Sequence, residues 1–218
     1  MSDRTMFWDW VAGVYDVFVK VINKKTHDAL RTRMEEYIHP SDAVLECACG
    51  TGMLTEGIAT GCRALVATDF SKKMVDRARA KCGRHGNIRF MIADIQSLDF
   101  PDACFDKVVA ANVIHLLGDP HQAVRELDRV CRPGGKIIIP TYISRRGENR
   151  GHGFVKMAGR IGAGFRQTFT FASYRRFFID AGYPDAMYIL IEGFIPCLIA
   201  VIEKKGSDEY DAEPGSPA

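Results

Sequence analysis

The chain has 218 residues, 47% of them hydrophobic and 26% charged, proportions that exclude a disordered, collagen-like or low-complexity chain and suit one substantial domain with a small cap. Lys+Arg 29 against Asp+Glu 27 leaves a net charge of +2, without the basic excess of a dedicated nucleic-acid binder, so no nucleic-acid partner is expected. The seven cysteines (47, 49, 62, 82, 104, 131 and 197) form no CxxC pair and have no histidine at zinc spacing, which reads as reduced thiols of a cytoplasmic protein with no metal site. The segment MSDRTMFWDW carries Asp3, Arg4 and Asp9 where a signal peptide needs an unbroken apolar run. Tyr188 to Ile202, the most apolar stretch, is interrupted by Glu192 and Pro196, and it falls short of the roughly 20 residues of a membrane helix.

Along the chain, Phe7, Val11, Tyr15, Phe18 and Ile22 recur at helical spacing and predict a first helix over 4–22. A second is expected from Thr26 as N-cap through Leu30, Met34 and Ile38 to the stop at Pro40, so residues 1–40 form an N-terminal helical cap. Short apolar runs then alternate with helical segments. Strands are expected at 43–47, 64–69, 88–94, 105–111 and 136–142, and helices after Gly52, from Ser71 and over 120–130, with a turn at Pro133-Gly134-Gly135. Strands apolar on both faces, taking turns with helices, indicate a doubly wound α/β domain with a parallel sheet. A helix over 170–181 stops at Gly182, and two apolar runs (186–191 and 197–202) follow so closely that they must pair antiparallel. The tail 206–218, with four acidic residues and two prolines, is expected to be disordered, leaving 1–205 as a single domain.

Residues 144–169 do not fit the alternation. They are rich in glycine and carry Arg145, Arg146, Arg150, Lys156, Arg160 and Arg166 against the lone acid Glu148. Ligands of open α/β sheets bind beyond the carboxyl ends of the strands, so an insertion leaving the fifth strand there is placed to act as a lid.

The first strand leads into ECACGTG, Glu46 to Gly52, a small-residue loop that lets a ligand approach the backbone at a helix N-terminus. By itself such a loop also suits a tight structural turn or a nicotinamide site. Asp69 ends the second strand about 20 residues on, where nucleoside-binding α/β folds place the carboxylate that grips ribose hydroxyls. Asp94 and Ile95, after the third strand, offer an acceptor for an exocyclic amine and an apolar cover for a flat ring.

Together VLECACGTG, ATDFSKKMVDRARAK, IADIQSLDFPDACFDKVVAANVIHLLGDP and ELDRVCRPGGKIII resemble the class I S-adenosylmethionine-dependent methyltransferases, in particular the small-molecule branch containing the ubiquinone and menaquinone biosynthesis enzymes. The likeness covers about residues 7–203. It implies a Rossmann-like seven-stranded sheet, mostly parallel with an antiparallel last strand, and S-adenosyl-L-methionine as cofactor, leaving as S-adenosyl-L-homocysteine. It places Glu46, Ala48, Cys49, Gly50 and Gly52 in the loop at the methionine moiety, Asp69 at the ribose, and Phe70 and Met74 beside it. Asp94 and Ile95 fall at the adenine, Asn112 near the methionine amino group, and Tyr15, with Asp16, in the cap over the cofactor. Ala48 stands where the family most often has a glycine; if the backbone there requires positive φ, alanine costs about 1 kcal/mol or more.

Methyl transfer is an in-line displacement, so the protein mainly aligns donor and acceptor and excludes water. A base is required only where the acceptor must lose a proton, and the resemblance offers His115 in NVIHLLGDP, with Tyr15 near the methyl group, as catalytic candidates. His152 lies in the proposed lid. No Asn-Pro-Pro-Tyr or Asp-Pro-Pro-Tyr follows the fourth strand, which disfavours methylation of planar amides and exocyclic amines. Cys47 and Cys49 raise arsenite methylation, but no further cysteine pattern supports it. The expected partner is a small-molecule acceptor, anionic or lipid-like where the lid arginines bind a carboxylate, a phosphate or a membrane surface. The rival readings are a catalytically inactive S-adenosylmethionine-binding protein or partner subunit, and a nicotinamide-dependent oxidoreductase.

Overall fold

The structure, a computed structural model, describes residues 23–145 and 167–206. The expected helix over 4–22 with Tyr15 and Asp16, most of the basic insertion with His152, and the acidic tail lie outside the described residues. The elements run α1 (Lys24–Tyr37), β1 (Ala43–Cys47), α2 (Thr55–Gly61), β2 (Ala64–Asp69), α3 (Lys72–Cys82), β3 (Ile88–Ile92), β4 (Phe105–Ala110), a 3-10 turn (Ile114–Leu116), α4 (Pro120–Val130), β5 (Cys131–Tyr142), α5 (Phe171–Asp180), β6 (Met187–Ile191) and β7 (Cys197–Glu203).

The strands form a seven-stranded sheet in the order β3-β2-β1-β4-β5-β7-β6. β1 pairs parallel with β2 and β4, and so do β2 with β3 and β4 with β5. β7 runs antiparallel to both β5 and β6, the pairing that the short 192–196 connection requires. The apolar-on-both-faces pattern has a direct cause. Leu45, Ile137, Ile139, Leu198 and Ala200 enter a core under α4 and α5. Their alternating neighbours Val44, Ile138, Ile199 and Val201 enter a second core under α1 and α2. Tyr174 of α5 is fully buried and donates its hydroxyl hydrogen to the Ile139 carbonyl at 2.7 Å, fixing that helix on the central sheet. Asp119 caps α4 at the Gln122 N–H with Pro120 in its first turn, and Thr170 and Ser173 close a reciprocal capping box on α5.

Three boundaries differ from expectation, each because a tertiary contact takes a local cue. α1 begins at Lys24, and Thr26 is not its cap: the buried Thr26 hydroxyl donates to Asn23 Oδ1 at 2.8 Å and to the Ile195 carbonyl at 3.3 Å. Asn23 in turn exchanges two 3.2 Å bonds with Ile195, so the helix start is pinned to the β6–β7 connection. β3 stops at Ile92 because Asp94 turns the chain, accepting from the Gln96 N–H at 2.9 Å. β5 starts directly after α4: Gly134, at φ 74, and Gly135 pair with Lys204, so the predicted turn is an irregular strand start.

Candidate cofactor site

β1, β2, β3, β4 and β5 all deliver their carboxyl ends to one edge of the sheet, and the order reverses between β1 and β4 there, the crevice where open α/β folds bind ligands. The glycine-rich loop crosses this edge between β1 and α2. Ala48 is held at φ 54, Gly50 at φ 55 and Gly52 at φ 81, so the alanine occupies left-handed backbone at a strain cost of about 1 kcal/mol. The two glycines serve different needs. A Cβ on Gly52 would lie 3.1 Å from Cys82 Sγ and 3.2 Å from Ala78 Cα, so this glycine lets the loop seat on α3. A Cβ on Gly50 would meet nothing within 4 Å among the described residues, so that backbone is open to them on this side, the cradle a bound cofactor needs.

Asp69 shapes the loop as well as ending β2. Its Oδ2 accepts from the Gly50 N–H at 3.0 Å and its Oδ1 from the Ser71 N–H at 2.9 Å. The carboxyl is buried, which pushes its pKa up, while the N–H groups of Ser71, Gly50 and Phe70 oppose that shift. Each oxygen keeps a further lone pair, so the group can still accept from ribose hydroxyls. Ser71 caps α3 by accepting from the Met74 N–H at 3.2 Å, and Met74 is 4% exposed, packed beneath the cap. Phe70, 37% exposed, is the apolar neighbour facing outward.

Glu46 is 2% exposed, and burial pushes its carboxyl up to about 8; the hydrogen bond from Thr55 opposes this, Asp69 adds to it and Lys81 lowers it. Thr55 Oγ1 donates to Glu46 Oε2 at 2.7 Å, while Thr68 Oγ1 donates to the Glu46 carbonyl at 3.2 Å. Cys49 is buried with its thiol pushed far up, and burial takes Cys47 up to about 12, so both remain protonated thiols. All seven cysteines are free.

Asp94 is exposed beside buried Ile95, and the adjoining Gln96 anchors their loop to α4: Gln96 Oε1 accepts from the Asp119 N–H at 3.1 Å and its carbonyl from Gln122 Nε2 at 3.3 Å. Asn112 also adopts left-handed backbone, φ 53; its N–H donates to the Pro140 carbonyl at 2.8 Å and its Oδ1 accepts from the Tyr142 N–H at 3.1 Å, locking the ends of β4 and β5 together. His115 is 5% exposed in the 3-10 turn, and burial lowers its pKa to about 4, so its imidazole is neutral near pH 7. Its carbonyl accepts from the Gln167 N–H at 3.4 Å where the chain returns from the basic insertion. Arg145, counted by sequence among the lid arginines, is engaged in an ion pair with Glu192 and donates to the Gly193 carbonyl at 3.2 Å.

Glu46, Ala48, Cys49, Gly50, Gly52, Asp69, Phe70, Asp94, Ile95, Asn112 and His115 thus share one edge of the sheet, with Met74 underneath. Tyr15 lies outside the described residues. Thr55 and Gln96 went unnoticed in the sequence because a threonine in a first helical turn and a glutamine in a loop carry no local signal; only their tertiary partners give them roles.

The family model described as a methyltransferase domain matches residues 45–139. The ubiquinone/menaquinone biosynthesis C-methyltransferase of Bdellovibrio bacteriovorus is 36% identical over 143 residues, which is 62% of this chain and 60% of that protein. The demethylmenaquinone methyltransferase of Corynebacterium urealyticum is 36% identical over 63% of this chain and 58% of its own. A phosphatidylethanolamine N-methyltransferase of Cereibacter sphaeroides is 35% identical over 56% of this chain and 61% of its own. The matches therefore span about three fifths of these curated relatives. Among solved structures, an S-adenosylmethionine-dependent methyltransferase of Thermotoga maritima superposes with TM-score 0.71 at 15% identity, over 92% of this chain and 99% of that one. The magnesium protoporphyrin IX methyltransferase of Synechocystis with bound S-adenosylhomocysteine gives 0.63 at 21% identity, over 84% of each chain. Residues 45–139 are therefore similar to a methyltransferase domain, and the chain shares its fold with S-adenosylmethionine-dependent methyltransferases of solved structure.

Proposed function

We propose that the chain is an S-adenosylmethionine-dependent methyltransferase acting on a small-molecule acceptor. The observation that carries this reading is the meeting of an open Gly50 backbone with the Asp69 carboxylate at the switch point of a matched methyltransferase domain. Asp69 would hold the ribose hydroxyls, Phe70, Asp94 and Ile95 the adenine, and the Glu46–Gly52 loop with Asn112 the methionine part. When bound, the cofactor supplies a methyl group already activated on a sulfonium, so the residues around it have to orient the acceptor and keep water out.

His115 stands at the acceptor side of β4. With a pKa of about 4 its neutral imidazole suits orienting an acceptor hydroxyl or carbon acid better than drawing off a proton from a weak acid. Tyr15 completes the catalytic pair on this reading. The acceptor class follows from the relatives, whose names specify ubiquinone, menaquinone and phosphatidylethanolamine chemistry, and from the basic residues of 145–166. A lipid-like acceptor carrying an anionic or polar head fits both. Among the described residues no helix is long and apolar enough to cross a membrane, and we place the protein in the cytoplasm.

Two measurements test this. Calorimetry should show S-adenosylhomocysteine binding that Asp69→Ala removes. Radiolabelled S-adenosylmethionine, offered with a short-chain demethylated naphthoquinol, a phenolic ubiquinone precursor and phosphatidylethanolamine vesicles, should label one of them. Absence of cofactor binding by a folded protein overturns the proposal, and binding without label transfer to any acceptor favours a catalytically inactive partner subunit.

A further inference from the structure

Thr55 sits in the first turn of α2, a helix whose N-cap residue Leu54 makes no side-chain cap bond. A threonine there would ordinarily turn its hydroxyl to the free N–H groups of the turn or to solvent. Instead it is fully buried and directs the hydroxyl nine residues back to Glu46 Oε2, at 2.7 Å. Among the described residues no ion pair reaches the Glu46 carboxyl. The group therefore lies under the glycine loop, at 2% exposure, with its Oε2 oriented by the Thr55 hydroxyl.

We propose that Thr55 is a positioning residue for cofactor binding: its hydroxyl holds the Glu46 carboxyl under the glycine loop, and arrival of the cofactor's ammonium group drives one proton off that carboxyl. The inference rests on the functional reading above. The O–H bond of the buried acid breaks, the proton passes to solvent, and the resulting carboxylate accepts from the incoming N–H group. Nothing is oxidised or reduced.

The surroundings support this assignment. Burial pushes the empty-site Glu46 up to about 8, so the group is largely protonated at neutral pH. The groups around it are Asp69 at the end of β2, Lys81 and Cys82 on α3, Cys47 on β1, Cys49 in the loop and Cys62 after α2. Burial pushes each of the four thiols up, keeping them protonated, and Lys81 is tied to the Gly52 carbonyl at 3.0 Å. Asp69 is also pushed up, so Glu46→Gln is required to assign the proton, while His115, lowered to about 4, titrates below the range used.

The test is calorimetry of S-adenosylhomocysteine binding to the full chain between pH 6.0 and 7.5, in buffer pairs of unlike ionisation heat. The wild type should release about one proton per ligand, with the association constant rising about tenfold per pH unit, as linkage to a single acid requires. Glu46→Gln should release none and show a flat profile. Thr55→Val removes a donor that favours the carboxylate, so its profile should move to higher pH and its affinity at pH 7 fall about tenfold, with Thr55→Ser restoring both. Zero proton release by a wild type that binds the ligand overturns the proposal, as does an unshifted Thr55→Val profile. If Thr55→Val does not fold, proton counts for wild type, Thr55→Ser and Glu46→Gln decide alone. A wild type that binds no ligand at any pH overturns the functional reading instead, and this inference with it.

Discussion

The two edges of the sheet treat charge in opposite ways. At the amino ends of the parallel strands, acids meet bases: Lys107 Nζ lies 3.4 Å from Asp42 Oδ1, and Arg132 lies 2.7 Å from Asp106, whose other oxygen accepts from the Ala43 N–H at 2.7 Å. At the carboxyl ends, Glu46 and Asp69 are as buried as Asp42 and Lys107, yet among the described residues they are held by hydroxyl and backbone N–H donors. A paired charge is used up in holding the fold, whereas an acid satisfied by neutral donors keeps its capacity for an incoming cation or hydroxyl. Strain is divided less cleanly: of the described non-glycine residues at positive φ, Ala48 and Asn112 lie at the site edge and Ala103 at the other.

The sharpest way to break this contrast is to swap its consequences. Lys107→Met strands a buried Asp42 carboxylate and should cost about 3 kcal/mol in urea unfolding, with S-adenosylhomocysteine affinity of the remaining folded protein unchanged. Asp69→Ala should do the reverse at the level of binding. Losing the acceptor for the ribose and for the Gly50 N–H should weaken S-adenosylhomocysteine by about 100-fold, or roughly 3 kcal/mol. Equal effects of both variants on binding would erase the distinction between the edges.

Thermal melts against pH sharpen it further, because two of the titrating groups at the site edge, His115 and Glu46, act with opposite sign. His115, lowered from 6.5 to about 4, leaves the unfolded chain binding more protons in that interval, so its contribution falls as pH drops from 6.5 toward 4. Glu46, raised from 4.5 to about 8, binds its proton more tightly in the folded state, so its contribution falls as pH rises from 4.5 toward 8. Glu46→Gln should therefore melt above the wild type at pH 8 and lose that advantage by pH 5, while His115→Gln should gain on the wild type only on the acid side. The smallest effect is expected from Ala48→Gly. Relief of the left-handed backbone should contribute about 1 kcal/mol and raise Tm by about 2–4 °C, with cofactor affinity within twofold of the wild type.

Much of the architecture was legible because it is written locally. Alternating apolar runs gave the strand positions, the 192–196 gap required an antiparallel pair, and the spacing from ECACGTG to Asp69 brought the loop and the carboxylate to one edge of the sheet. Element boundaries were less legible wherever a polar cue was taken by a distant partner, as with Thr26 and Ile195 or Gly134 and Lys204.

By itself the sequence determined a doubly wound sheet, the loop that crosses its carboxyl edge and the set of side chains brought there, since periodicity, turn residues and motif spacing are local properties of the chain. It also posed the question of Ala48, whose answer depends on a dihedral angle. Only the tertiary structure decided that this backbone is left-handed, that Gly52 serves packing while a Cβ on Gly50 would meet no other described residue, that Asp69 orders the loop, and that Thr55 holds Glu46. Those outcomes depend on which atoms of remote segments come within hydrogen-bonding or van der Waals distance, and on how far burial shifts a charge, and neither is encoded in any window of neighbouring residues.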